Sequence, residues 1–175
     1  MLFRSENRLQ NVVALLLIMA GAAFRVLPHP DNFAPVAAIA LFSGVVLSPG
    51  LALTIPLLIM MASDLLLGLH SLFLWAWSSF FLVSLLGVGI RKNPRLGLIF
   101  AGSLAGSLIY FVVTNLGVFF VDNLYPKTWA GLYECFVMAL PFFRNSILSD
   151  LFFTSCLFGI FAIVKNYSLK AAPQR

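Results

Sequence analysis

Charge is what this chain has least of: only 10% of its 175 residues are charged, six of them acidic and eleven basic. With hydrophobic residues at 61%, that is too little polar surface to cover a water-soluble domain, and a soluble fold is excluded. Cysteine is nearly as scarce. Cys135 and Cys156 lie in different apolar segments with no second ligand-type residue at metal spacing, so neither a disulfide framework nor a zinc site is indicated. GxSxG, HExxH and Walker sequences are missing too, which leaves no hydrolase elbow, no zincin helix and no means for this chain to hydrolyse ATP. A net charge of +5 would suggest nucleic acid in a soluble protein. Here the basic residues flank apolar runs, where they orient the chain, and nucleic acid is not expected as a partner.

What the chain does have is hydrocarbon, with a mean hydropathy of +1.01. Apolar runs occupy 11–27, 34–48, 51–70, 72–90, 96–121 and 146–164. Runs of this kind without strand alternation must be helices, because inside a bilayer each backbone amide needs a partner within its own segment. The expectation is a single all-α integral membrane domain over residues 1–175 with six transmembrane helices. A re-entrant or capping loop follows the first helix, and an interfacial half-helix at 129–143 precedes the sixth.

Basic residues give the orientation. Arg4, Arg8, Arg91, Lys92, Arg95, Lys165, Lys170 and Arg175 fall on one side of six spans, and Arg25, Lys127 and Arg144 on the other. The positive-inside rule then puts both termini in the cytoplasm and the protein in the inner membrane. Arg4, Arg8 and the Ala20-Gly21-Ala22 triplet also resemble a cleavable secretory signal, but removing it would break this pattern, so the first helix is expected to be kept. Small residues at four-residue spacing, Gly102 with Gly106, Ala34 with Ala38 and Ala40 with Gly44, predict close helix packing within the bundle, with subunit docking as the alternative.

Functional interest centres on polar residues near the outer end. Asp64, Asn115, Arg144, Asn145 and Asp150 are placed at one depth by the helix boundaries, with Arg25 level with them. Ionisable residues in membrane helices usually face the bundle interior and mark a pathway, although they also serve as internal ties. The segment FRVLPHPDNFAPVAAIALFSG at 24–44 supplies a Pro-rich turn over this level. Asn32, Asp64, Asn115, Arg144, Asn145 and Asp150 are therefore the candidate substrate-binding residues, and His29, Asp31 and Phe33 the candidate lid. His29 and His70 leave a metal site conceivable, yet no two ligands share i, i+4 spacing, and no metal or cofactor is expected. An intramembrane enzyme built on Asp64 and Asp150 has no supporting motif.

The blocks PDNFAPVAAIALFSG, PLLIMMASDLLLGLH, VVTNLGV and ALPFFRNSILSDLFF resemble those of an uncharacterised family of six-helix bacterial membrane proteins. That family is in turn similar to the substrate-binding S components of energy-coupling factor transporters. The resemblance implies capture of a small solute, such as a vitamin or its precursor, from the outer side beneath the loop after helix 1. It further implies a transmembrane coupling subunit and two ATPases as partners. The AxxxA docking motif expected on helix 1 is replaced by a cluster from Ala20 to Ala23. The expected function is thus a solute-binding transport component. A non-transporting scaffold, a metal-ion transporter and an intramembrane enzyme are the alternatives.

Overall fold

The computed structural model describes the backbone of residues 7–171 and the side chains of residues 11–166. Arg4, Arg175 and the side chains of Arg8 and Lys170, which carried part of the orientation argument, lie outside these. Seven helices follow one another, and no strand occurs among the described residues: α1 (Asn7–Val26), α2 (Val36–Val46), α3 (Pro49–Leu67), α4 (Phe73–Ile90), α5 (Leu96–Val121), α6 (Trp129–Met138) and α7 (Leu140–Ala171). Local chemistry sets the breaks. Pro35 precedes α2, and Pro49 opens α3, where its missing N–H is not needed. Gly68, at φ 92°, ends α3 in a conformation that a side chain would resist. The Thr128 side chain caps α6 by accepting from the Gly131 amide.

Four of these helices, α3, α4, α5 and α7, are long and apolar enough to cross a membrane. The second apolar segment differs from the six-span expectation. Its helix holds only 11 residues, or about 16 Å of rise, against a hydrocarbon core of about 30 Å. Hydropathy overstates it because α2 sits inside the bundle, in contact with α1, α3, α4, α5 and α7, and every residue from Val36 to Val45 is buried. Protein surrounds it where lipid was expected.

Small residues make that position available. A Cβ on Gly44 would come within 2.5 Å of the Ser84 carbonyl oxygen and 2.7 Å of the Gly87 Cα, so α2 and α4 meet backbone to backbone. Gly102 faces Ile90 and Leu41, and Gly106 faces Val83, so the small-residue pairs serve internal packing. Ala38, Ala40 and Gly44, which were alternative docking residues, are buried and offer nothing to another subunit.

The C-terminal end of α2 stops inside the protein, where its last carbonyls need donors. Arg91, at the end of α4, supplies them: its Nε and Nη2 donate to the Gly44 oxygen at 2.9 and 2.6 Å, and Nη2 also reaches the Leu47 oxygen. Partial burial lowers the Arg91 pKa from its ordinary value. Lys127 does the same for α5, donating to the carbonyls of Phe119 and Asp122. Both cations sit at helix C-termini, where the backbone dipole favours positive charge.

The last helix also starts earlier than expected, at Leu140, because Pro141 is tolerated in a first turn. Asp150 therefore lies about 15 Å along the axis from the start of α7, well below its first two turns, while Asp64 is about one turn from the end of α3. Both carboxylates, with Arg25, remain within electrostatic range of Tyr110.

Candidate functional site

Residues 27–35 run from the end of α1 into the bundle alongside α7. The Phe33 amide donates to the Pro30 oxygen at 3.0 Å, closing a turn in which Asn32 takes φ 58°, a left-handed value that asparagine tolerates. Asn145 Nδ2 then donates to the Asp31 oxygen at 3.0 Å, and Ser149 Oγ to the Ala34 oxygen at 3.1 Å. Since Asn145 and Ser149 are one turn apart on α7, the loop descends by about 6 Å between these bonds. The Phe33 ring packs against those of Phe152 and Phe153, with centroids at 6.4 and 5.7 Å.

Beneath this loop is a cavity of about 400 Å³. The loop contributes His29, Asp31 and Asn32; α5 contributes Tyr110, Phe111, Thr114, Asn115 and Val118; the α6–α7 junction contributes Ala139, Phe142 and Ser146. Several of these polar groups are held by their own backbone. Thr114 Oγ1 donates to the Tyr110 oxygen and Asn115 Nδ2 to the Phe111 oxygen, each at 2.7 Å, which leaves the Asn115 Oδ1 and a second N–H for a visitor. His29 Nδ1 lies 2.6 Å from the Leu27 oxygen, so Nδ1 carries the hydrogen of that bond. Cys135 Sγ donates to the Asn115 oxygen at 3.5 Å. Burial pushes the Cys135 thiol up, with Lys127 opposing in part, so it is no thiolate nucleophile.

Of the residues expected at the site, the structure brings Asn32, Asn115, His29 and Asp31 to the cavity wall. Asn145 and Phe33 instead hold the loop in place. Arg144 is exposed on the surface of α7. Asp64 does not line the cavity and is 1% exposed: Arg25 Nη2 donates to its Oδ1 at 2.8 Å, and Trp77 Nε1 to its Oδ2 at 2.9 Å. A second Arg25 nitrogen meets the Met60 sulfur. Both Asp64 oxygens are thus engaged in tying α1, α3 and α4 together. Asp150 is buried between α5 and α7, where Ser107 Oγ lies 2.6 Å from its Oδ2. His70 Nδ1 accepts from the Leu72 amide in the α3–α4 turn, and no group of three His, Cys, Asp or Glu side chains placed to hold a metal occurs among the described residues.

Sequence reasoning missed Tyr110, Thr114 and Ser146. The signal was there in spacing. Tyr110 and Thr114 are four apart on α5, as are Ser146 and Asp150 on α7, so each pair marks a polar stripe on one helix face.

Fold and cavity together define a class: an all-helical, membrane-embedded protein with a polar cavity under an inserted loop. Within that class the chain belongs to the family of unknown function DUF6580, whose model matches residues 5–172. No curated protein and no solved structure matches it.

Proposed function

We propose that this protein is the solute-binding component of a membrane transport system, similar to the S components of energy-coupling factor transporters. It would take a small solute, such as a vitamin or its precursor, from the outer side. The observation that carries this reading is the cavity of about 400 Å³ beneath the loop, a volume within the range of pockets that enclose small ligands. Its lining combines one carboxylate, an imidazole, two amides and hydroxyls with the aromatic side chains of Tyr110, Phe111 and Phe142, which suits a small, polar, partly apolar solute. In this reading both termini are cytoplasmic, the protein lies in the inner membrane, and α1, the loop with α2, α3, α4, α5 and α7 make six passes. The positive charges of the α4–α5 turn support that orientation.

A single bundle has no second half to rock against, so it requires a transmembrane coupling subunit and ATPases. With Ala38 and Ala40 buried, the docking face falls to α1, where Ala20 and Ala23 are exposed beside Leu16 and Met19. The Arg25–Asp64–Trp77 tie favours a second reading, a membrane scaffold, which gives the cavity no role.

Thermal unfolding of the purified protein against a panel of vitamins and their precursors tests the first reading. A true ligand raises the midpoint by mass action. Asn115→Leu, which fills the wall with an apolar side chain, should abolish that rise while leaving the unliganded midpoint within a few degrees of wild type. A wild type that no panel member stabilises favours the scaffold.

A further inference from the structure

The buried carboxylate of Asp150 has no cation beside it. The one ion pair among the described residues is Arg25 with Asp64, and Arg25 is engaged there. Three hydroxyls from α5 and α7 surround Asp150 or continue from it: Ser107 Oγ is 2.6 Å from Asp150 Oδ2 and 3.2 Å from the Ser103 oxygen, and Thr154 Oγ1 donates to Ser103 Oγ at 3.2 Å.

A serine hydroxyl has one hydrogen to give and two lone pairs to receive. Ser107 faces two acceptors, so its one hydrogen has to be shared between them while Asp150 is ionised. A hydrogen on Asp150 Oδ2 resolves this, since Asp150 then donates to Ser107 Oγ and Ser107 donates to the Ser103 oxygen. The same hydrogen removes a charge that no cation among the described residues pairs with, and an unpaired charge in a membrane helix is costly.

We propose that Asp150 is a proton-binding site, a carboxyl that takes up and releases one proton between α5 and α7. On release the Asp150 O–H bond breaks and the proton passes to water in the cavity. The Ser107 hydroxyl then turns its hydrogen from the Ser103 oxygen to the carboxylate left behind. The cavity wall begins one turn away: Ser146, one turn above Asp150 on α7, lines it, and so does Tyr110, one turn above Ser107 on α5. Tyr110 is the titratable group of α5 along this seam and lies within electrostatic range of Arg25, Asp64 and Asp150. The α2 segment presents no titratable group, and Tyr133 and Glu134 of α6 are exposed. The inference uses the solute cavity of the proposed function only as a route for water, and its test needs no solute.

Infrared difference spectroscopy of the purified full-length protein across pH is that test. A carboxylic-acid carbonyl band should persist at about pH 6, above the range in which ordinary carboxyls hold a proton, and vanish as pH rises further. It should be absent in Asp150→Asn, retained in Asp122→Asn, and shifted in frequency in Ser107→Ala, which deletes the acceptor. The last variant keeps the test alive should Asp150→Asn fail to fold. A spectrum without such a band at any pH, a band that survives Asp150→Asn, or one that Ser107→Ala leaves unmoved overturns the proposal. So does stabilisation by sodium ion that Asp150→Asn removes, which would make the site one for a metal cation.

Discussion

Asp64 and Asp150 are both buried carboxylates on membrane helices, yet their surroundings have little in common. Around Asp64, three helices converge on a closed set of partners, with a guanidinium on one oxygen and an indole N–H on the other. Around Asp150, two helices offer hydroxyls and no charge. The contrast teaches that a carboxylate inside a membrane protein has no fixed meaning: a full complement of strong donors makes a rivet, and a sparse neutral one leaves a group free to exchange.

Removing one partner of the rivet should have the largest effect. Asp64→Leu strands the Arg25 cation, and we expect a loss of about 3–5 kcal/mol in detergent-solubilised unfolding. The double variant Arg25→Met/Asp64→Leu should recover most of that loss; failure to recover would show that Asp64 matters for something other than its pairing. A smaller cost belongs to Trp77→Phe, which keeps the ring packing but deletes one hydrogen bond to a charged group, at about 1.5–3 kcal/mol. Smallest of all should be Asp150→Asn, whose amide can still donate to Ser107, with a change within about 1 kcal/mol in the same assay. Were it to cost as much as Asp64→Leu, the distinction between the two regions would collapse.

Much of the fold could be read in the sequence because apolar length and breakers act locally. The runs at 51–70, 72–90 and 96–121 became α3, α4 and α5 within a few residues, and WAGLYECFVM became the short helix before the last. The segment around α2 could not be read the same way. Hydropathy reports that a helix avoids water and is silent on whether protein or lipid replaces it, so a fully enclosed 11-residue helix reads like a full-length, lipid-facing one. Arg91 and Lys127 were legible as charges that orient the chain, but their use in capping buried helix ends depends on contacts across the bundle.

The site was legible in part for a related reason. Residues of the turn, His29, Asp31 and Asn32, could be found because prolines placed them, and Asn115 because an amide in a membrane helix stands out. Position along the last helix, however, was inferred from its expected start, and the early start of α7 leaves Asn145 within the first two turns but puts Asp150 beyond them. Arg25 and Arg144 were both legible as possible ties to Asp64 or Asp150; that Arg25 pairs with Asp64, with Trp77 on the other oxygen, follows from how α1, α3 and α4 pack.

The enclosed position of α2 also bears on how the cavity opens. Its backbone is wedged against α4 at Gly44 and Gly87, and its entry is fastened where Ser149 holds the Ala34 oxygen. Everything from Ala34 onward is thereby staked down, and the span left to swing is the handful of residues from Leu27 to Phe33, held by the Asn145 bond and two phenylalanine rings. In the proposed solute-binding role, admission to the cavity would then be a local flap motion, on the timescale of loop movement, with no rearrangement of the helices.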